Sequence, residues 1–229
     1  MRPFRMGVGV TLLVTACAHA PAPVRAPSAS APTPHPTTVT PANIKRISRE
    51  LPPGYEITNV IPSAASPRAI WSLDVAATVQ PAECAIMADP GSSGNGRSQS
   101  AQGVSGSGAG GIVNAVVVVV PSGPVLPAEH VVAGCTQWTM SDGHTTAAIR
   151  LIDPPRIEDA ETLGMITDIR TSVESGTEIS SQIYTFIAYL GQQHYAFTTL
   201  TTDPGSMRAP LPAQFAADLL VKTVSTLRS

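Results

Sequence analysis

The sequence predicts an α+β domain in which short N-terminal helices and a C-terminal amphipathic helix pack on an antiparallel sheet of five to seven strands. Runs rich in Val, Ile, Thr and Tyr alternate apolar and polar residues, as half-buried strands do. Tight-turn signals such as Ser141-Asp142-Gly143 join neighbouring runs, which makes those strands antiparallel. The last segment, 212–227, has one broad apolar face that a sheet can bury.

Short helices are predicted where proline follows a residue that can cap a helix. Thr40-Pro41 and Ser66-Pro67 each place Pro at the first helical position, where its missing N–H costs no hydrogen bond. Further short helices are predicted at 81–87 and 127–134, with one or two helical turns at 158–164.

The segment 112–120, IVNAVVVVV, is predicted to be a central strand covered on both faces. It is far shorter than the roughly 20 residues that span a bilayer, and its β-branched residues disfavour a helix. The preceding segment, 91–111, is rich in Gly and Ser and is predicted to be a loop. The other predicted strands are 55–61, 138–140, 144–152, 166–173, 177–190 and 195–202.

The N-terminus has the parts of a bacterial lipoprotein signal peptide. Two arginines precede a short apolar stretch, and Val14-Thr15-Ala16 leads directly to Cys17. We expect residues 1–16 to be removed and Cys17 to carry diacylglycerol and palmitate. Such an anchor would hold the protein on the extracytoplasmic face of the cell membrane, because two or more acyl chains anchor stably. The alternative is an ordinary signal peptide followed by a chance cysteine.

Composition divides the mature chain into a tether and a globular domain, and it excludes some classes of partner. Residues 17–41, mostly Pro, Ala, Ser and Thr, are predicted to be the lipidated Cys and a disordered tether, and 42–229 a globular domain. Fourteen basic and 16 acidic residues give a net charge of −2, with no basic run. Nucleic acid is therefore not an expected partner, and any attachment to the membrane has to be covalent.

Cys84 and Cys135 are the only cysteines besides Cys17. An exported domain lies in an oxidising compartment, where two cysteines normally form a disulfide. A catalytic or metal-binding pair would have closer spacing and a nearby histidine. We therefore expect a structural Cys84–Cys135 bond.

No motif predicts a catalytic residue, a cofactor or a metal. Residues 106–111 fit the dinucleotide-binding pattern G-x-G-x-x-G. That site also needs a following helix whose N-terminus faces the pyrophosphate, and the sequence predicts a strand there instead. There is no nucleophile elbow or zinc motif, and the histidines are isolated. Glu174 and Glu178 lie close in sequence and could do acid/base work or hold a cation, but a solvated turn is the simpler interpretation.

Several short motifs occur along the domain: LPPGYE at 51–56, CAIMADP at 84–90, CTQW at 135–138, ESGTE at 174–178 and TDPG at 202–205. In this order they resemble a domain of unknown function in mycobacterial lipoproteins. That family is similar to the extracellular sensor domain of PknH-type receptor serine/threonine kinases. The resemblance implies a sensor-like α+β domain with a concave face that binds an unknown ligand, and it brings no catalytic residue. The kinase sensors carry two disulfides, whereas this chain has cysteines for one.

We therefore expect a non-enzymatic envelope lipoprotein that binds an envelope ligand or a protein partner. Gln182 and Tyr184, on the predicted strand 177–190, are the candidate ligand-facing residues, because aromatic and amide side chains suit a recognition surface. The alternative is that the short N-terminal helices cover the sheet face that carries these two residues. The alternative functions are an envelope hydrolase with dispersed catalytic residues and a purely structural or antigenic surface protein.

Overall fold

The structure is a computed structural model that describes residues 38–59, 65–92, 99–173 and 176–229. The predicted signal peptide, Cys17, nearly all of the predicted tether and Glu174 lie outside the described residues.

An antiparallel sheet of nine strands, in the order β1-β3-β4-β9-β8-β7-β6-β5-β2, forms the centre of the fold. The long strands are joined mostly as hairpins, and two strands of three residues, β1 and β2, form the edges. The strands are β1 Glu56–Thr58, β2 Thr78–Gln80, β3 Ser100–Gly108, β4 Gly111–Val119, β5 Gln137–Ser141, β6 Thr145–Ile152, β7 Glu161–Ser172, β8 Glu178–Leu190 and β9 His194–Thr202.

The predicted number of five to seven strands is therefore wrong, and the largest error is β3. Its sequence, SAQGVSGSG, predicts a loop because it has almost no large apolar side chain. It is a strand because it pairs with β4 along its whole length. Its small residues let other chain segments approach closely: a Cβ on Gly106 would overlap the Leu51 side chain.

Residues 158–164 contain no helical turn. A tight turn at Glu158 and Asp159 leads into β7, and Asp159 has φ +54°. Apolar periodicity over so few residues does not separate a helical turn from the beginning of a strand.

The helices are short, except for the first and the last. A 3-10 helix spans Pro41–Glu50, and α4 spans Ala213–Leu227. Between them lie α1 Pro67–Ile70, a 3-10 turn Ala82–Cys84, α2 Ala85–Ala88 and α3 Glu129–Gly134. The helix starts predicted at Pro41 and Pro67 are confirmed, although Thr40 makes no side-chain capping bond. Instead its backbone N–H donates to the carbonyl of Leu227, 2.7 Å away.

Both faces of the sheet carry a hydrophobic core. On one face, here called the helix face, α4 and the N-terminal 3-10 helix pack on β3, β4, β8 and β9 through residues such as Ile47 and Leu220. On the opposite face, here called the disulfide face, Trp71 and Met87 from the short helices lie in one buried cluster with Phe197. The short helices α1 and α2 thus cover the face opposite the one that carries Gln182 and Tyr184, whereas α4 and the N-terminal 3-10 helix cover part of the face that carries them.

β4 is buried on both sides, as the sequence predicts. Val113 and Val117 belong to the core of the helix face, and Val116 and Val118 to that of the disulfide face. The neighbouring strands, β3 and β9, complete its hydrogen bonding.

The predicted Cys84–Cys135 disulfide is present. The two α carbons are 5.7 Å apart, and the bond joins positions separated by 51 residues. It ties the chain at α2 to the end of α3, and both cysteines are fully buried. None of the described helices is long and apolar enough to cross a membrane.

Candidate functional site

Within the described part of the chain, about half of the helix face has no helix packed on it. In β6 the side chains of Ala147 and Ile149 are buried on the disulfide face, whereas those of Ala148 and Arg150 on the helix face are exposed. The same alternation holds in β5, and α4 packs mainly on β4, β8 and β9. The uncovered region, here called the open face, is formed by Gln80, Gln137, Thr139, Thr146, Ala148, Arg150, Asp168, Arg170, Ser180 and Gln182.

Strand register aligns the middle of the open face in one row. Gln80 is paired with Thr139, Thr139 with Ala148, Ala148 with Asp168, and Asp168 with Gln182. Neighbouring strands lie about 4.8 Å apart, so these five side chains project side by side from five consecutive strands. Four polar side chains and that of Ala148, distant from one another in sequence, therefore meet in one strip.

Asp168, Gln182 and Tyr184 form a hydrogen-bonded chain at one end of this strip. The Gln182 amide Nε2 donates to Asp168 Oδ1 at 2.8 Å, and the Tyr184 hydroxyl donates to Gln182 Oε1 at 2.8 Å. The Tyr184 ring packs against the core beneath α4 and is half-buried. The amide is thus held from both sides, while Asp168 Oδ2 and the second Gln182 N–H are left for other partners.

Two arginines flank the strip. Arg150 is paired with Ile166 and Arg170 with Thr146, so the two lie on adjacent strands at either side of Asp168. The ion pairs in the described part of the chain are Arg68–Asp89 and Lys222–Glu50, and neither arginine of the open face takes part in one. The open face therefore presents two guanidinium groups without a carboxylate partner.

Two adjacent cavities lie on the open face, with volumes of about 350 Å³ and 400 Å³. Ala148 and Asp168 line both; Arg150 lines the first and Arg170 the second. Ala148 has only a methyl group between longer neighbours, so it forms a low point in the surface. The arginines and the carboxylate thus surround a shallow depression.

A third cavity, of about 480 Å³, lies near the hairpin of β8 and β9 and is lined by Leu126, Glu161 and Tyr189. The Tyr189 hydroxyl is buried without a hydrogen-bond partner, and burial raises its pKa. The open face is nevertheless the stronger candidate, because guanidinium, carboxylate and amide groups converge there. Such a mixture of donors and acceptors orients a polar ligand.

Among the residues that the structure describes, the three histidines lie in different elements and Glu178 lies apart from them. His130 lies in α3, His144 in the turn between β5 and β6, and His194 at the beginning of β9, where burial lowers its pKa. Glu178 is exposed at the beginning of β8. In the ranges that the structure describes, no group of three His, Cys, Asp or Glu side chains could hold a metal ion.

Both predicted site residues, Gln182 and Tyr184, lie next to each other on the helix face, where the Tyr184 ring packs against the core and Gln182 is partly exposed. Arg150, Asp168 and Arg170 are further polar residues of the site that were not predicted from the sequence. The sequence feature that points to these three residues is the alternation in β6 and β7, where polar residues at every second position interrupt buried apolar ones. That pattern marks a solvated face, but it does not show that the two strands are neighbours.

The fold defines an α+β domain with one large antiparallel sheet, helices on both faces and an open polar half-face. The chain belongs to the family DUF5642, a domain of unknown function, whose model matches residues 40–228. An X-ray structure of an uncharacterised Mycobacterium smegmatis protein, the Rv0999 ortholog, has a similar fold with a TM-score of 0.62. The two chains are 18% identical, and the match covers 83% of this chain and 98% of that one. No curated protein matches the chain.

Proposed function

We propose that this protein is a non-enzymatic, sensor-like binding domain of the cell envelope, and that it binds its ligand on the open face. The observation that carries the proposal is the exposed strip around Asp168, in which Gln182 is already oriented by Tyr184 and two arginines lack carboxylate partners. Pre-organised polar groups lower the entropic cost of ordering a binding site.

Residue chemistry favours binding over catalysis on this face. Its exposed groups are guanidinium, amide and hydroxyl side chains with one carboxylate, and no histidine or cysteine lies among the residues that define it. General acid–base or nucleophilic catalysis needs a nucleophile and a base within hydrogen-bond reach of each other. The resemblance to the sensor domains of receptor kinases supports the same proposal.

A lipid anchor at Cys17 would hold this domain at the membrane surface. Support comes from the Val14-Thr15-Ala16-Cys17 sequence behind a short apolar stretch. We expect the wild-type protein to partition into detergent, and Cys17→Ser to be released or incorrectly processed. Equal partitioning of both forms, with no lipid mass on the N-terminal peptide, would contradict the anchor.

The binding proposal is tested with the full chain purified from its own envelope and examined by native mass spectrometry. Gln182→Ala and Tyr184→Phe should each reduce retention of the co-purifying ligand, because the first removes the amide and the second removes the hydroxyl that orients it. Gln214→Ala is the matched control, since Gln214 donates a similar bond to Asp218, 2.8 Å away, on α4. Unchanged retention in both site variants with an intact fold, or turnover of an ester, amide or glycoside by the wild type, would refute the proposal.

A further inference from the structure

The spacing of Arg150 and Arg170 suits an extended ligand. Arg170 is paired with Thr146, which lies four residues from Arg150 along β6. With about 3.3 Å per residue and about 4.8 Å between strands, the two α carbons are about 14 Å apart. The two side chains therefore begin far enough apart to hold two separate anionic groups, so a chain molecule with repeated anionic groups can contact both arginines.

Asp168 adds a second requirement. Its carboxylate lies between the two arginines, lines both cavities and accepts one hydrogen bond from Gln182. A ligand that approaches this carboxylate has to donate hydrogen bonds, because an ionised carboxylate only accepts them. A polymer made of anionic groups alone, such as polyphosphate or a nucleic acid backbone, would be repelled at this point.

Hydroxyl groups next to anionic groups meet both requirements. The open face also provides the amides of Gln80, Gln137 and Gln182, which can donate to and accept from sugar hydroxyls. The low point at Ala148 gives room for a ring between the two arginines.

We infer that the open face binds an anionic saccharide, in which the carboxylate or phosphate groups contact Arg150 and Arg170 and hydroxyl groups donate to Asp168. This inference rests on the proposed function, namely that the open face binds a ligand. Guanidinium groups match carboxylates and phosphates with paired hydrogen bonds, so they account for the anionic part of the recognition.

The test measures binding of the full chain by isothermal titration calorimetry. The probes are a short oligogalacturonate, its neutral methyl ester, a phosphorylated mannan oligosaccharide and polyphosphate. We expect one or both of the acidic saccharides to bind at least about tenfold more tightly than the methyl ester and the polyphosphate, and added salt to weaken binding. A preference for oligogalacturonate or for phosphomannan distinguishes a carboxylate-bearing from a phosphate-bearing source.

Variants locate the site. Arg150→Gln and Arg170→Gln should each weaken binding of the acidic saccharide by about tenfold. Arg49→Gln, an exposed arginine on the N-terminal 3-10 helix, makes the same change of charge away from the open face and should have no effect. Asp168→Asn should lower the ratio of the affinity for the acidic saccharide to that for polyphosphate, since it removes both an acceptor and a repulsive charge.

Two results separate this inference from the proposed function. Equal affinity for oligogalacturonate and its methyl ester, abolished by Gln182→Ala, would overturn the anionic specificity and leave binding at the open face intact. Failure of all four probes, while ligand retention from the envelope still depends on Gln182, would overturn the saccharide assignment but leave binding at the open face intact. Failure of the probes with retention independent of Gln182 would overturn both. Tight binding of polyphosphate would overturn the role of Asp168.

Discussion

Trp71 donates a hydrogen bond from its indole Nε1 to the Thr185 hydroxyl, 3.2 Å away, although 114 residues separate the two in sequence. Both side chains are buried, and the Trp71 ring also contacts Trp138 with ring centroids 6.1 Å apart. This bond fastens the segment after α1 to the middle of β8 on the disulfide face. It satisfies a polar group that would otherwise be buried without a partner.

Thr185→Val should therefore lower the free energy of unfolding by about 1–3 kcal/mol, because it leaves the buried indole N–H without an acceptor. Urea-induced unfolding measures the change. Thr146→Val, an exposed position on the open face, is the control and should stay within about 0.5 kcal/mol of the wild type. An equal effect of the two substitutions would show that the Trp71–Thr185 bond does not stabilise the fold.

Loss of the disulfide should destabilise the domain more. Replacing both Cys84 and Cys135 with Ala opens a loop closed over a separation of 51 residues, which corresponds to about 4 kcal/mol in the chain-entropy estimate. That is a large share of a typical stability of about 5–15 kcal/mol, so the melting temperature should fall clearly. Peptide mapping without reductant should find the two cysteines linked in the wild type. Free thiols in protein taken from the envelope would contradict the bond.

Gly111 should tolerate substitution less well than Gly143. Both have positive φ, +124° and +93°, but a Cβ on Gly111 would overlap the carbonyl oxygen of Thr201, whereas the space around Gly143 is open. Gly143→Ala should cost about 1–2 kcal/mol from the backbone conformation alone. Gly111→Ala should exceed that cost by about 1–3 kcal/mol because of the overlap. Equal melting temperatures of the two variants would contradict this difference.

The Arg68–Asp89 ion pair should make stability depend on pH. Arg68 Nη2 lies 2.7 Å from Asp89 Oδ2, and the two side chains are 17% and 11% exposed. Burial raises the pKa of Asp89, and the charge of Arg68 partly offsets that rise. Arg68→Met would remove the offset and leave a poorly solvated carboxylate without its donor, at a cost of about 1–3 kcal/mol at neutral pH.

The sign of the pH effect follows from the raised pKa. When an acid has a higher pKa in the folded state, the folded protein loses stability as the pH rises from the acid's unfolded pKa, about 4, through its folded pKa. The difference between wild type and Arg68→Met should therefore be largest at neutral pH and shrink as the pH falls towards 4. In an Asp89→Asn background the same difference should not change with pH. Chemical unfolding at a series of pH values measures both differences.

Local sequence patterns predicted those elements that are specified by residues close together in the sequence. The β-branched run of β4, the alternation in β8 and β9, the amphipathic face of α4 and the cysteine pair all correspond to observed features. β2 and β3 could not be predicted in the same way. β2 has three residues and is a strand because it pairs with β5, and β3 is a strand of small residues because it pairs with β4.

Which side chains share a face follows from the sequence alone, because a strand alternates with a period of two and a helix with a period of 3.6 residues. Gln182 and Tyr184 are therefore predicted on the same side of one strand. That Asp168 is the cross-strand partner of Gln182, and that this part of the face is open, depends on tertiary contacts. A helix is about 10 Å wide and covers only two or three strands spaced about 4.8 Å apart. Since α4 lies over β4, β9 and β8, the polar residues of β7, β6, β5 and β2 stay exposed to solvent. The position of α4 on the sheet is set by contacts between segments that are far apart in the chain.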